Sequence, residues 1–177
     1  MIYLDTNILV SLHITDSLTP PATEWIAREA TPLAISEWVR TEFHAVMGLR
    51  KRKAELSAAD AKAAVAALDV RAEGYLHTLT ITNDSVAIAA TWLRNPDCTL
   101  QTGDALHLAI AQTAGATALA TFDEQFAKAA QKLKLVNFKI VLIGGKVRRV
   151  EQARAAYKVA KPTNRAALVK TEKKVKR

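Results

Sequence analysis

The sequence predicts an α/β fold in which a mostly parallel sheet is covered by helices on both faces. Two observations predict it. Short apolar runs such as residues 1–4 and "ATALAT" (116–121) read as strands buried on both sides. These runs alternate along the chain with longer stretches of helical spacing, the order that a parallel sheet with helical crossovers requires. No internal repeat is visible.

Taken in order, "MIYL" is the first strand, and "PPATEWIAREA" has two prolines at its start followed by helical spacing. "PLAIS" is a second short strand, and Ser36 is a suitable N-cap for the helix "EWVRTEFHAVMGLRKRK". "SAADAKAAVAALDV" opens on Ser57 with Asp60 three residues later, an acidic variant of the capping box. "LTIT" is read as a short strand before the helix "DSVAIAATWLR", which Asn95-Pro96 stops. "TGDALHLAIAQTAG" is a helix capped by Thr102, with Gly115 just past its end. The strand "ATALAT", the helix "FDEQFAKAAQKL" and a last extended segment, "LVNFKIVLIGG", follow.

Composition narrows the function. One cysteine, Cys98, excludes an intramolecular disulfide and a thiolate zinc cluster. No apolar run reaches the length of a membrane span, and no secretory signal opens the chain, so a reducing cytoplasm is the expected location. The net charge of +8 is unevenly spread. Residues 146–177 hold twelve Lys/Arg against two acids, whereas residues 1–145 hold thirteen against fifteen. A mildly acidic globule with a strongly basic C-terminal tail points to a polyanionic partner.

One charged residue stands out. Asp5 interrupts the apolar opening "MIYLDTNILV". Either it caps a following helix or something positive sits above it, because an unpaired buried carboxylate costs several kcal/mol. Asp5 ends the first strand and Asp123 follows the strand "ATALAT". Glu42 lies two turns into the helix after the second strand, and Asp104 lies in the first turn of its helix. In an open parallel sheet the carboxyl ends of the strands share one edge, where ligands bind. Two carboxylates ~4 Å apart repel by roughly 4 kcal/mol at an effective dielectric near 20. A divalent cation removes that repulsion, and oxygen-only ligands suit Mg²⁺ or Mn²⁺. Each acid also has a plain structural use: Asp104 favouring a helix dipole, Asp123 as a helix cap, Glu42 as a solvated helix residue.

"YLDTNILV", "ISEWVRTEF", "TGDALHLAIA" and "ATFDEQF" resemble, in order and at fitting spacing, the four signature segments of the PIN-domain nucleases. More narrowly, the chain is similar to VapC-type toxins of bacterial toxin–antitoxin pairs. The resemblance covers about residues 1–143. It implies a PIN-like α/β/α sandwich, Mg²⁺ or Mn²⁺ at the acidic cluster, and endonucleolytic hydrolysis of RNA that leaves a 5′-phosphate. Asp5 and Asp104 match direct metal ligands, and Glu42 and Asp123 match acids that bind a second metal or its waters. Asn7, Ser36 and Thr121 match polar residues that position those carboxylates. A small cognate antitoxin and a homodimer are the implied protein partners. The tail, residues 144–177, lies outside the resemblance and departs from most compact VapC-like toxins.

Several residues remain open between structural and functional uses. His107 is one turn from Asp104 on the same helix face; it is expected to pack near the sheet as a satisfied histidine, although it can reach the site. His44 is given no role. Arg50, Lys51, Arg52 and Lys53 are either a solvated helix end or a phosphate grip beside the cleft. Trp25, Trp38 and Trp92 suit a core or a dimer face better than stacking on bases. In the tail, "KVRRVEQARAAYKVAK" has helical composition with Arg148 and Arg149 beside an apolar stripe, and the segment after Lys161-Pro162 is expected to be flexible. Three functions fit: a metal-dependent endoribonuclease toxin, a PIN-type nuclease of RNA processing without an antitoxin, and a non-catalytic nucleic-acid-binding protein acting through its tail.

Overall fold

The computed structural model describes residues 1–144 of the 177-residue chain. The expected tail helix and the flexible segment after it lie outside the described residues. Five strands form one sheet: β1 (Ile2–Leu4), β2 (Leu33–Ser36), β3 (Leu76–Leu79), β4 (Ala118–Thr121) and β5 (Lys139–Leu142). Their order is β3-β2-β1-β4-β5, and every neighbouring pair is parallel. Seven helices connect them: α1 (Thr6–His13), α2 (Thr19–Arg28), α3 (Glu37–Arg52), α4 (Ala58–Tyr75), α5 (Asn83–Leu93), α6 (Thr102–Thr113) and α7 (Glu124–Lys132). Among the described residues no helix is long and apolar enough to cross a membrane.

The sheet is α/β as expected, and its central strands explain why. Ile2, Tyr3, Leu4, Ala34, Ile35 and Leu119 are buried, so β1, β2 and β4 are covered on both faces. Val39 and Phe43 from α3, Leu68 from α4, Leu108 and Ile110 from α6 and Phe126 from α7 join them in one core. Strand order reverses beside β1: the chain winds outward through β2 and β3, then returns to the other side of β1 as β4 and β5. Such a reversal splays the connections apart and opens a crevice beyond the carboxyl ends of the two strands. Here those ends are Leu4, followed by Asp5, and Thr121.

Local details confirm several capping assignments and correct others. Ser36 caps α3 by accepting from the Val39 N–H at 3.4 Å. Ser57 caps α4 by accepting from the Asp60 N–H, and its own hydroxyl donates to Asp60. Gly115 lies beyond α6 with φ +73°, a left-handed conformation that glycine adopts without strain. Thr102 is the first residue of α6 rather than its cap; Gln101 holds the cap position and makes no side-chain bond there. The third strand is Leu76–Leu79, not "LTIT", because α4 runs on through Gly74 to Tyr75 and leaves Thr80–Ile81 as the link to Thr82, the cap of α5. Asp5 occupies the N-cap position of α1 but its side chain makes no cap bond. Its carboxylate is committed elsewhere.

Candidate functional site

The site forms at the β1/β4 reversal. The backbone N–H of Asp5 continues the β1–β4 ladder by donating to the Ala120 carbonyl at 3.0 Å, which fixes Asp5 beside Thr121. Its Oδ2 accepts from Asn7 Nδ2 and from Thr121 Oγ1, each at 2.6 Å. Asn7 is anchored in turn: its Nδ2 also reaches Thr121 Oγ1 at 3.0 Å, and its Oδ1 accepts from the Phe122 N–H. Asn7 and Thr121 therefore lock the Asp5 rotamer. Asp5 Oδ1 points the other way and has no hydrogen-bond partner, although the residue is only 1% exposed.

Glu42 and His107 close on that oxygen. Glu42 Oε2 accepts from Thr6 Oγ1 at 2.6 Å and lies 2.8 Å from His107 Nε2. His107 Nε2 is 3.7 Å from Asp5 Oδ1, an ion-pair separation too long for a hydrogen bond. The other imidazole nitrogen, Nδ1, meets Tyr3 Oη at 3.0 Å, and Tyr3 Oη meets Ser36 Oγ at 2.6 Å. Ser36 thus acts on the cluster through Tyr3 and His107. One ligand atom each from Asp5, Glu42 and His107 lies within 4.8 Å of the other two. His107 is the buried, satisfied histidine expected beside the sheet, with both ring nitrogens hydrogen-bonded, and it also stands within the cluster.

The electrostatics run in one direction. Burial pushes the Asp5 carboxyl above the ordinary aspartate value; His107 and the Thr121 hydrogen bond oppose this, and Glu42 adds to it. Burial acts on His107 in the opposite sense, yet Tyr3, Glu42 and Asp5 leave its imidazole well above the ordinary histidine value. Tyr3 is itself raised by burial and is a neutral phenol near pH 7, so the anions acting on His107 there are Glu42 and Asp5. Both the carboxyl and the imidazole hold protons more tightly than they would in water. The cluster is short of positive charge.

A divalent cation fits that deficit. The donor set offers two carboxylates and an imidazole, one carboxylate oxygen is buried with unused lone pairs, and the imidazole is oriented from behind by a hydroxyl, as metal-ligating histidines usually are. The trio contains an imidazole nitrogen, which was not in the oxygen-only set expected from the sequence.

The PIN domain family model matches residues 2–132. The chain belongs to the PIN-domain family. Its fold is similar to that of VapC20 from Mycobacterium tuberculosis, a sarcin–ricin loop cleaving toxin, with a TM-score of 0.58 and 24% identity over 73% of this chain and 95% of that one. It is also similar to VapBC2 from Rickettsia felis bound to a promoter DNA fragment (TM-score 0.57, 19% identity, 81% of this chain and 100% of that one). A toxin–antitoxin complex from Klebsiella pneumoniae gives a TM-score of 0.52 and 24% identity over 72% and 91% of the two chains. At these identities the likeness is one of fold. No curated protein matches the chain.

The remaining candidate residues of this PIN domain are spread unevenly around the cluster. Asp104 is buried in the first turn of α6, one turn nearer the crevice than His107, and its neighbour Gly103 abuts Glu42. Asp104 and Asp123 are not among the three residues whose ligand atoms converge. Asp123 caps α7 through Oδ1, which accepts from the Gln125 and Phe126 N–H groups, and its own N–H donates to Thr121 Oγ1. It is therefore one hydrogen bond removed from the Asp5 anchor. Arg50, Lys51 and Arg52 form the last turn of α3 and Lys53 is its C-cap, about 12–16 Å along the axis from Glu42. Arg50 also pairs with Asp16 at 3.5 Å. His44 is exposed on α3. Arg148 and Arg149 lie outside the described residues.

Sequence spacing had placed His107 within reach of the site, but what puts it there is Tyr3 from β1 and Glu42 from α3. Its neighbour Leu108 lies in the core.

Proposed function

We propose that the protein is a divalent-cation-dependent endoribonuclease, the toxin of a toxin–antitoxin pair. The observation that carries this reading is the buried, unpartnered Asp5 Oδ1 facing Glu42 and His107 at the strand reversal of a PIN domain. Asp5, Glu42 and His107 would hold the cation. Mn²⁺ is favoured over Mg²⁺ because one of the three donors is an imidazole nitrogen. Such an ion would make a water more acidic and offset charge on the phosphodiester in the transition state.

The chain's own residues do the rest. Asn7 and Thr121 hold Asp5 in one rotamer, so no side-chain entropy is lost there on loading. Tyr3, backed by Ser36, presents the His107 ring edge. Asp104 and Asp123 stand beside the trio, where we place them as acids for a second ion or its waters. Residues 1–143 act as the nuclease domain, and the basic residues of 144–177, Arg148 and Arg149 included, draw RNA toward an otherwise acidic crevice. The reading places the protein in the cytoplasm, as a homodimer restrained by a small antitoxin. An arginine from that antitoxin would satisfy the same acids by charge-assisted hydrogen bonds.

The test is incubation of the purified full chain with RNA in Mn²⁺, Mg²⁺ or EDTA. Internal cleavage that needs the ion and is lost in Asp104→Asn supports the nuclease. Intact RNA under all three conditions refutes it. Growth arrest on expression, abolished by the same substitution and relieved by a small protein encoded beside it, separates a toxin from a processing nuclease. The processing alternative is favoured by one observation. The similar structures are covered over 91–100% of their length but leave about a fifth or more of this chain unmatched. Residues 146–177, with net charge +10, suit an enzyme that holds extended RNA.

A further inference from the structure

The chain leaves the described fold beside the acid cluster. β5 runs parallel to β4, and the Ile143 N–H donates to the Thr121 carbonyl at 3.0 Å. The Thr121 hydroxyl donates in turn to Asp5 Oδ2 at 2.6 Å and accepts from the Asp123 N–H at 2.9 Å. One residue therefore holds both the exit of the chain and the anchor of the site. Gly144 follows with φ +63°, a left-handed conformation that turns the chain off the line of β5.

That edge of the sheet is acidic. Asp5 and Asp123 stand at the ends of β1 and β4, Glu42 on α3, Asp104 on α6 and Glu124 at the start of α7. They are five of the fifteen acids in residues 1–145. Asp5 is 1% exposed, and its Oδ1 faces this crevice without a hydrogen-bond donor. Residues 146–177 begin at the same edge and hold twelve Lys/Arg against two acids. Asp5 lies two strands from β5, about 10 Å at the usual spacing. Lys146, Arg148 and Arg149 come three, five and six residues after Ile143, and an extended chain covers about 3.3–3.6 Å per residue. All three reach the mouth of the crevice without any change in the sheet. Tethered so closely, these cations meet the acids at an effective concentration of about millimolar.

We propose that the basic segment from Lys146 onward lies back across the mouth of this crevice in the RNA-free protein, and that RNA displaces it. The occupant of the acidic edge is then the chain's own C-terminal segment. Its cations stand at the mouth, because Asp5 is enclosed too fully for a lysine or arginine to reach Oδ1. There they screen the acids and oppose entry of a divalent cation. Phosphates of an arriving RNA compete for the same side chains and draw them off the acids. The displacement rests on the reading of the crevice as the RNA site; the contact itself does not.

The experiment treats the full chain with a water-soluble carbodiimide, which joins lysine amines to carboxylates in contact, in EDTA and low salt without RNA. Mixing ¹⁴N- and ¹⁵N-labelled protein separates links within one chain from links between two. Mass spectrometry should find links within one chain from Lys146 or a later lysine to Asp123, Glu124 or Glu42, and single-stranded RNA should suppress most of them. Absence of such links overturns the proposal, as does equal linking to Glu24 and Glu29 on the α2 side leading to the amino end of β2. Links found only between chains, or links that persist in saturating RNA, also overturn it. A second measurement compares Mn²⁺ affinity, by calorimetry without RNA, in the full chain and in its Lys146→Gln/Arg148→Gln/Arg149→Gln variant. The variant should bind Mn²⁺ at least about threefold more tightly, the effect of removing one unit charge roughly 10 Å from a divalent ion in water. Equal affinities refute the inference. A wild type that binds no Mn²⁺ overturns the cation-site reading alone, and the cross-links then decide this one.

Discussion

Asp5→Asn should reverse the order of stability between the metal-free and the loaded protein. The asparagine carbonyl can keep both bonds now made by Oδ2, from Asn7 and Thr121, so the local geometry survives. Its amide replaces Oδ1, the oxygen with no partner. Two Coulomb changes then nearly cancel. Loss of attraction to protonated His107 at 3.7 Å costs about 4 kcal/mol at an effective dielectric near 20. Relief of repulsion from Glu42, whose ligand atom is within 4.8 Å, returns at least about 3 kcal/mol.

The balance is decided by desolvation. A buried carboxylate costs several kcal/mol, and a buried amide with unpaired N–H groups costs about 1–3 kcal/mol. In EDTA the variant should therefore be more stable by about 1–2 kcal/mol, or roughly 2–8 °C in melting temperature for a domain of this size. Saturating Mn²⁺ should raise the wild type by about 2.7 kcal/mol at one hundred times its dissociation constant, while the variant gains little. Scanning fluorimetry of both proteins with and without Mn²⁺ measures the crossing. A variant less stable than wild type in EDTA, or one that keeps the full Mn²⁺ shift, would falsify the argument.

Three further outcomes follow from the same geometry. Tyr3→Phe removes the hydroxyl that joins Ser36 to His107 and strands two buried polar atoms; it should cost about 1–3 kcal/mol in urea melts, and unchanged stability would mean the bridge is idle. In EDTA, stability should fall as pH rises from 6 toward 8. His107 and Asp5 have folded values above their unfolded ones, and the His107 contribution is complete below about 6.5 and lost through its raised value; burial lowers His13, which acts in the opposite sense but with the smaller shift; a melting temperature that climbs over this range contradicts the assignment. Deleting residues 146–177 should weaken binding of single-stranded RNA. If five of its cations neutralise phosphates, the deletion should flatten the salt slope of log affinity by about 3 to 4 units, whereas equal slopes would leave the tail without an RNA role.

Much of the fold is legible because its central strands are mostly apolar and α3 and α4 open on serine caps. The parts that are not legible have local causes. Thr6 and Asn7 look like an interruption of a buried strand, yet they begin α1, and both are buried because their polar atoms serve Glu42, Asp5 and Thr121. Nothing in "DTN" tells a cap from a ligand; that depends on Thr121, over one hundred residues away. β3 is an edge strand with His77 and Thr78 exposed, so it lacks the apolar run that marks β1 or β4, and the more β-branched "LTIT" outscores it by composition. Asp5 was legible as an acid at a strand end and Glu42 as one two turns into α3. His107 was legible only as a reach, since a histidine between two leucines carries no sign of the tyrosine and glutamate that come to it from other elements.

The placement of His107 also answers why Asp5 tolerates burial. Two hydrogen-bonded units meet at the crevice: Asn7–Thr121–Asp5 hangs from the ends of β1 and β4, and Ser36–Tyr3–His107–Glu42–Thr6 ties β1 to the helices α1, α3 and α6. Between the units, the His107 Nε2 to Asp5 Oδ1 ion pair is 3.7 Å long. A site evolved only for stability would close that gap with a hydrogen bond or replace the charges with apolar groups, which is often neutral or better for folding. Instead each unit is rigid internally and leaves its charged atom facing the other across a separation that an ion can bridge. A divalent ion bound there, as proposed above, would meet ligands already held by their own partners and would offset the cost of their unpaired burial.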